Sequence, residues 1–107
     1  MNVLDEPADV WHALSAPARR EILGLLATAP SDATGLAQRL DISRQAVMKH
    51  LSVLTAAALV TATRSGRRVD YRVNPRELRR AGDSLTAAAA AWDAQLGLVK
   101  DAVESRR

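Results

Sequence analysis

The stretch DISRQAVMKHLSVL, residues 41 to 54, sets two kinds of side chain against each other. Val47, Leu51 and Leu54 recur at intervals of four and three, the spacing of one helix face. Ser43, Arg44, Gln45, Met48, Lys49 and Ser52 fall on the other side, and no acid stands among them. A guanidinium offers a planar fork of donors, an amide offers a donor and an acceptor, a thioether offers apolar contact, and an ammonium offers a point charge. Such a set suits the edges of base pairs and the phosphates that flank them. A major groove about 12 Å wide admits one α-helix, which contacts bases through its N-terminal residues. Arg44 would then pair with O6 and N7 of guanine, Gln45 with N6 and N7 of adenine, and Met48 would touch a thymine methyl. Lys49 and the Ser43 hydroxyl would bind phosphate, helped by the positive end of the helix dipole. Ser52 completes this candidate DNA-contacting face.

Beyond this helix the period changes. LVTATRSGRRVDYRV splits into two runs around Ser65 and Gly66, and Val69, Tyr71 and Val73 alternate with Arg68, Asp70 and Arg72. A period of two about a glycine turn predicts a β-hairpin. It would carry Arg64, Arg67, Arg68 and Arg72 to the DNA backbone or minor groove. The charge is placed accordingly. Residues 34 to 73 hold seven basic and two acidic residues, a net +5, while the rest of the chain holds eight basic and ten acidic residues, a net −2. A basic patch confined to one motif is the electrostatic footprint of a DNA binder.

The elements that must position these residues follow from the same patterns. Pro7 to Leu14 predicts a first helix, with Val10, Trp11 and Leu14 apolar. SAPARREILGLLATAP predicts a second, entered at Pro17 and buried through Ile22, Leu25 and Leu26. SDATGLAQRL predicts a short third, capped by Asp32 or Thr34, with Leu36, Ala37 and Leu40 inward. Asp41 stands at the turn into the fourth helix, which Ser43 caps, and Asp tolerates the left-handed conformation better than most residues. Asn74-Pro75 opens a last helix, with a bend or restart expected at Gly82. The fold class is therefore mainly α with a small β-hairpin: a winged helix-turn-helix of about five helices and a two-stranded wing, residues 1–107 forming one DNA-binding domain.

In the last helix Leu85, Ala89, Trp92, Leu96, Val99 and Val103 are spaced four and three alternately, a heptad stripe. Its length exceeds what one small core can cover. A two-fold seam is expected, built from the terminal helices (about 7–14 and 76–104), with Val10, Trp11 and Leu14 contributing from the first. Ala87 to Ala91 would let two helices approach closely, and Trp92 would anchor the seam. Such a dimer presents two recognition helices about one DNA turn apart and demands a palindromic site.

Together these segments resemble the ArsR-type (ArsR/SmtB) winged-helix repressors, in particular the branch without metal ligands. ALSAPARREIL is similar to the family's second-helix entry, LAQRLDISRQAVMKHLSVLTAAALV to its helix-turn-helix, and RSGRRVDYRVNP to its wing. The resemblance covers about residues 9 to 96. It implies a homodimeric transcriptional repressor on a palindromic operator, released by an effector. Asp41 and Ala58 stand where the family commonly has glycine, which should strain those turns. Ala16 stands where an acidic cap is common, leaving Ser15 to cap the second helix. The family's metal sites are not expected, since the chain has no cysteine and residues 76 to 107 contain no histidine. His50 falls in the family's KHL position, where such a residue packs or bonds locally, and His12 stands alone on the first helix.

Composition bounds the rest. Charged residues make up 25% of 107 and aromatic residues 3%, with no Phe, so one modest core of Leu, Val, Ile and Ala is expected. The first residues carry Asp5 and Glu6 rather than an apolar run, unlike a signal peptide. No apolar stretch nears the roughly 18 residues of a membrane span, so a cytoplasmic chain is expected. No cofactor is implied. An enzyme is not expected, because no cysteine, histidine–carboxylate cluster or glycine-rich phosphate loop is present. The expected partners are double-stranded DNA and a second copy of the chain. An effector, small molecule or protein, is not written in the residues. The alternatives are a non-specific architectural DNA binder and a winged-helix protein-interaction module. If metal ligands are indeed lacking, excess Zn²⁺ should leave the thermal unfolding midpoint unchanged, and a large Zn²⁺ stabilisation would contradict that reading.

Overall fold

The computed structural model describes residues 8–105, excluding the side chains of Ala8, Asp9 and Val99. The helix start expected at Pro7 lies outside the described residues. Five helices and a hairpin follow in order: α1 (Ala8–Leu14), α2 (Pro17–Thr28), α3 (Ala33–Leu40), α4 (Arg44–Ala56), β1 (Val60–Ser65), β2 (Arg68–Val73) and α5 (Pro75–Glu104). The core draws Val10, Ile22, Leu36, Val47, Leu51, Leu54, Leu59 and Val60 from α1 to β1, each under 2% exposed. Full burial of such a side chain contributes about 1.5–3 kcal/mol.

In α2 the buried stripe is Arg19, Ile22, Leu23 and Leu26. Leu25, expected inside, is half-buried, and Leu23 takes the inward place because it continues the Arg19–Ile22–Leu26 spacing. The expected Ser15 cap is also corrected. Ala16 is the N-cap and makes no side-chain bond, while the Ser15 hydroxyl donates to the His12 carbonyl at 2.6 Å. Ser15 lies one residue too early, and its hydroxyl instead joins the other donors on a carbonyl at the end of α1 that has no partner within the helix.

The corner between α3 and α4 is fixed by local bonds. The Asp32 side chain accepts from the Gly35 N–H at 2.8 Å and opens α3. Asp41 closes it at φ 54°, ψ 45°, and the Ile42 N–H donates to the Ala37 carbonyl at 3.2 Å. The Ser43 hydroxyl then accepts from the Ala46 N–H at 3.0 Å and starts α4. Two capped ends separated by one left-handed residue leave α4 little freedom to turn about its axis.

Ala58 also lies in the left-handed region, at φ 62°. The Asn74 amide donates to the Ala58 carbonyl at 3.0 Å, and the Asn74 N–H donates to the Leu59 carbonyl at 2.8 Å. The start of α5 is thereby tied to the end of α4. In the wing, β1 and β2 pair antiparallel from Val60↔Val73 to Ser65↔Arg68, with Gly66 at φ 64° in the turn. A contact the sequence does not announce widens this sheet: Ser31 pairs with Tyr71 through N–H···O bonds of 2.8 and 3.2 Å, one in each direction.

The last helix runs unbroken for 30 residues, without the restart expected at Gly82. The Thr86 hydroxyl donates to the Gly82 carbonyl at 3.0 Å within the continuous turn. Leu78, Ala81 and Ser84 join α5 to the body. From Leu85 onward it projects, giving extents of 68 × 26 × 22 Å.

An L-residue in the left-handed region costs about 1–2 kcal/mol, against roughly 0.5–1 kcal/mol for the greater freedom of an unfolded glycine. Ala58→Gly should therefore raise unfolding stability by about 0.5–1 kcal/mol in urea titration, and Asp41→Gly by less. A loss of stability in Ala58→Gly would show that the turn is unstrained.

Candidate nucleic-acid interface

The buried stripe of α4 decides which side chains face outward. Val47, Leu51 and Leu54 are at most 1% exposed, so Ser43, Arg44, Gln45, Lys49 and Ser52 stand in solvent, with Met48 at the margin. The first turn of α4 holds no acid. Among the described residues, no carboxylate lies within ion-pair distance of Arg44 or Lys49. Two free cations, an amide and a hydroxyl thus cluster at the N-terminal half of the helix, where the unpaired N–H groups add positive potential.

Beside this face lies an open cleft of about 350 Å³ between α4, the wing and the head of α3. Arg44 and Met48 line it from α4, Arg67, Arg68 and Tyr71 from the wing side, and Asp32 and Thr34 from α3. The Tyr71 hydroxyl faces the Met48 sulfur at 4.0 Å, a weak contact. The structure thus gathers Arg44, Met48, Arg67 and Arg68 of the predicted set around one cleft. Gln45, Lys49 and Ser52 lie on the same helix outside its lining.

The four wing arginines do not act from one surface. Opposed residues in an antiparallel pair share a face. The register therefore puts Arg64 with Val69 and Tyr71, and puts Arg68, Asp70 and Arg72 on the other face. Arg67 sits in the turn. Arg68 donates from Nε to Asp70 at 2.9 Å. This hydrogen bond raises its already high pKa, as do the charges of Asp70 and, more weakly, Asp32. Arg68 spends its Nε on Asp70, which offsets its charge and leaves its Nη groups for a phosphate, whereas Arg64, Arg67 and Arg72 have no such partner among the described residues.

The predicted seam residues divide in the same plain way. Val10 is 1% exposed and belongs to the protomer's own core. The expectation that it contributes to a seam is corrected, because no surface remains on it to give. Trp11 and Leu14 are half-buried, with Leu14 packed on that core. On α5, Leu85, Ala89, Trp92, Leu96 and Val103 are exposed on one side, and Leu98, which the heptad count omits, is exposed on the opposite side. The side chain of Val99 lies outside the described residues.

Sequence reasoning missed Arg19. It is 8% exposed. Its Nε donates to the Ala13 carbonyl at 2.9 Å, its Nη2 to the His12 carbonyl at 2.8 Å, and its Nη1 meets His50 Nδ1 at 3.3 Å. Burial first, and the Arg19 charge second, hold the His50 imidazole below its ordinary pKa of 6.5. The signal was available: an arginine in register with Ile22, Leu23 and Leu26 must be buried with them and must find carbonyls. The clasp of Ser31 on Tyr71 had no such signal, since a single bridged residue has no period.

Comparison with known proteins agrees with this architecture. Residues 14–62 match the family described as a helix-turn-helix domain. An ArsR-like transcriptional regulator from Rhodococcus sp. RHA1 has a similar structure, with a TM-score of 0.81, 41% identity and coverage of 98% of both chains. The transcriptional repressor SdpR of Bacillus subtilis is 33% identical over 66 residues, covering 62% of this chain and 73% of its own. The homodimeric winged helix-turn-helix DNA-binding domain of Mb0332 from Mycobacterium bovis superposes with a TM-score of 0.67 at 27% identity, over 85% of each chain. With its capped helix pair, its hairpin wing and a relative that matches it almost end to end, the chain belongs to the ArsR family of winged helix-turn-helix transcriptional regulators.

Proposed function

We propose that two copies of the chain join through their terminal helices, bind a palindromic operator and repress transcription from it. The observation that carries the DNA-binding half is the acid-free face of Ser43, Arg44, Gln45, Met48 and Lys49, bare to solvent beside a cleft rimmed by Arg67 and Arg68. Arg44 and Gln45 each match one base-pair edge in two bonds, which phosphate binding alone does not need. Lys49, Ser43 and Ser52 fix the register on the backbone, and Arg64, Arg67 and Arg72 extend that hold through the wing.

What supports the dimer is α5. Beyond Ser84 it runs alone, exposing Leu85, Trp92, Leu96 and Val103 along one side. A lone helix of about twenty residues is marginal in water, and an apolar side of that length is normally covered. A second α5, with Trp11 and Leu14 of each α1 at its flank, supplies the cover. Two-fold symmetry then spaces the recognition helices about 34 Å apart, one turn of duplex. A dimer seated on a promoter blocks access to it, and an effector, small molecule or protein, would act by changing that spacing. Among the described residues no helix is long and apolar enough to cross a membrane, and the proposed place of work is the cytoplasm.

Selection of bound duplexes from a random pool tests the reading. It should return a two-fold palindrome whose affinity falls steeply as salt rises. Arg44→Ala should cost about 1–3 kcal/mol and relax the preference at one base pair per half-site. Equal binding to all duplexes, before and after that change, would contradict it. In sedimentation the chain should run as a dimer, and Trp92→Ala with Leu96→Ala should shift it towards monomer. A monomeric wild type would remove the seam.

A further inference from the structure

The geometry points to Arg19 and His50 as positioning residues that hold the recognition helix α4 against α1, through a contact that breaks when His50 takes up a proton. The inference rests on the proposed DNA binding only for its consequence at the operator.

A buried guanidinium keeps its charge and offers donors alone. Arg19 spends two on the His12 and Ala13 carbonyls. These belong to the last turn of α1, where carbonyls lack helical partners and a cation is favoured. Its third donor, Nη1, reaches His50 Nδ1 at 3.3 Å, in the middle of α4. One side chain on α2 therefore binds the end of α1 to the recognition helix. Because arginine cannot accept, His50 must present a bare Nδ1 and carry its proton on Nε2.

Imidazolium has two donors and no acceptor. A proton on Nδ1 would end the contact and set two cations side by side. Among the described residues no carboxylate relieves them. Among the described residues Arg19 is the one charged group that acts on His50. His12 on α1, Arg20 and Glu21 on α2, Asp32 and Arg39 on α3, Lys49 on α4 and Arg64 on β1 do not. Partial burial disfavours the charge further. Since Trp11 and Leu14 on α1 flank the proposed seam, loosening this joint frees the tilt of α4 relative to the dimer axis. Half-site spacing is set by that tilt.

The neutral ring is favoured in the fold, so its pKa there lies below the 6.5 of an unfolded chain. The stability it contributes is fully present above 6.5 and is lost as pH falls from there through the lower folded value. His50→Asn is the informative variant, since its side-chain oxygen accepts near the Nδ1 position and does not titrate. Arg19→Met removes the donors at similar length, but its own fold is at risk. Wild type and His50→Asn are compared by thermal unfolding, and by affinity for a duplex selected from a random pool, from about pH 8 to about pH 5. The melting midpoint of the wild type should fall below that of the variant as pH drops beneath 6.5. Its DNA affinity should drop more than the variant's over the same range.

Superimposable melting profiles overturn the inference, whatever the DNA does. Diverging melting profiles with parallel DNA affinities reduce the joint to a structural contact and overturn the positioning role. If selection returns no preferred duplex, the proposed function fails, while the melting profiles still decide whether the joint is proton-sensitive.

Discussion

The molecule depends on one constraint: α4 must bury one side completely so that the other cannot. Val47, Leu51 and Leu54 press into a core shared with Ile22 and Leu36, all close to zero exposure. Rotating α4 by half a turn would drive Gln45 and Lys49 into that core, where an unpaired charge costs several kcal/mol. The polar face is outward because no other solution is open. The Asp32 and Ser43 caps and the left-handed Asp41 then set where along the axis α4 begins.

Charge works within that frame. The core fixes the direction of the recognition helix, and the wing is held beside it by Tyr71, whose backbone is clasped by Ser31 and whose ring reaches Met48. The result is a cleft open to solvent, in which Arg44, Arg67 and Arg68 outnumber the single acid, Asp32, beside Met48 and Tyr71. The ion pair of Arg68 with Asp70, at the edge of the cleft, is open to solvent and therefore weak. A polyanion competes with it easily. The Arg19 clasp sits on the opposite side of the account: it is buried, uses backbone carbonyls that cannot leave, and joins three helices through one side chain.

Periodic features were legible in the sequence because each is repeated. The stripe of α4, the alternation of Val69, Tyr71 and Val73, and the heptads of α5 each rest on three or more residues. Caps were legible where chemistry narrows the choice, as at Asp32 and Ser43. Errors arose where one residue competes between two jobs. Ser15 could close α1 or open α2, and it closes α1. Val10 shares the apolar spacing of Trp11 and Leu14 but points into the protomer. Gly82 reads as a break, yet a glycine on the exposed side of a long helix costs only about 1 kcal/mol and need not end it. Of the candidate site, the α4 residues were legible from their spacing. The wing was legible only as a hairpin. That Arg64 and Arg68 lie on opposite faces depends on the register, which follows from the turn at Gly66 and Arg67.

The central claim is that the outward face of α4 and the wing tip together meet duplex DNA. Amide chemical-shift mapping of the ¹⁵N-labelled chain, on addition of a duplex, tests it most directly. The largest changes should fall on residues 43 to 49 and 64 to 68, leaving the exposed half of α5 beyond Leu85 nearly still. Changes centred on that half of α5, or spread evenly with none at Arg44 and Gln45, would contradict the account.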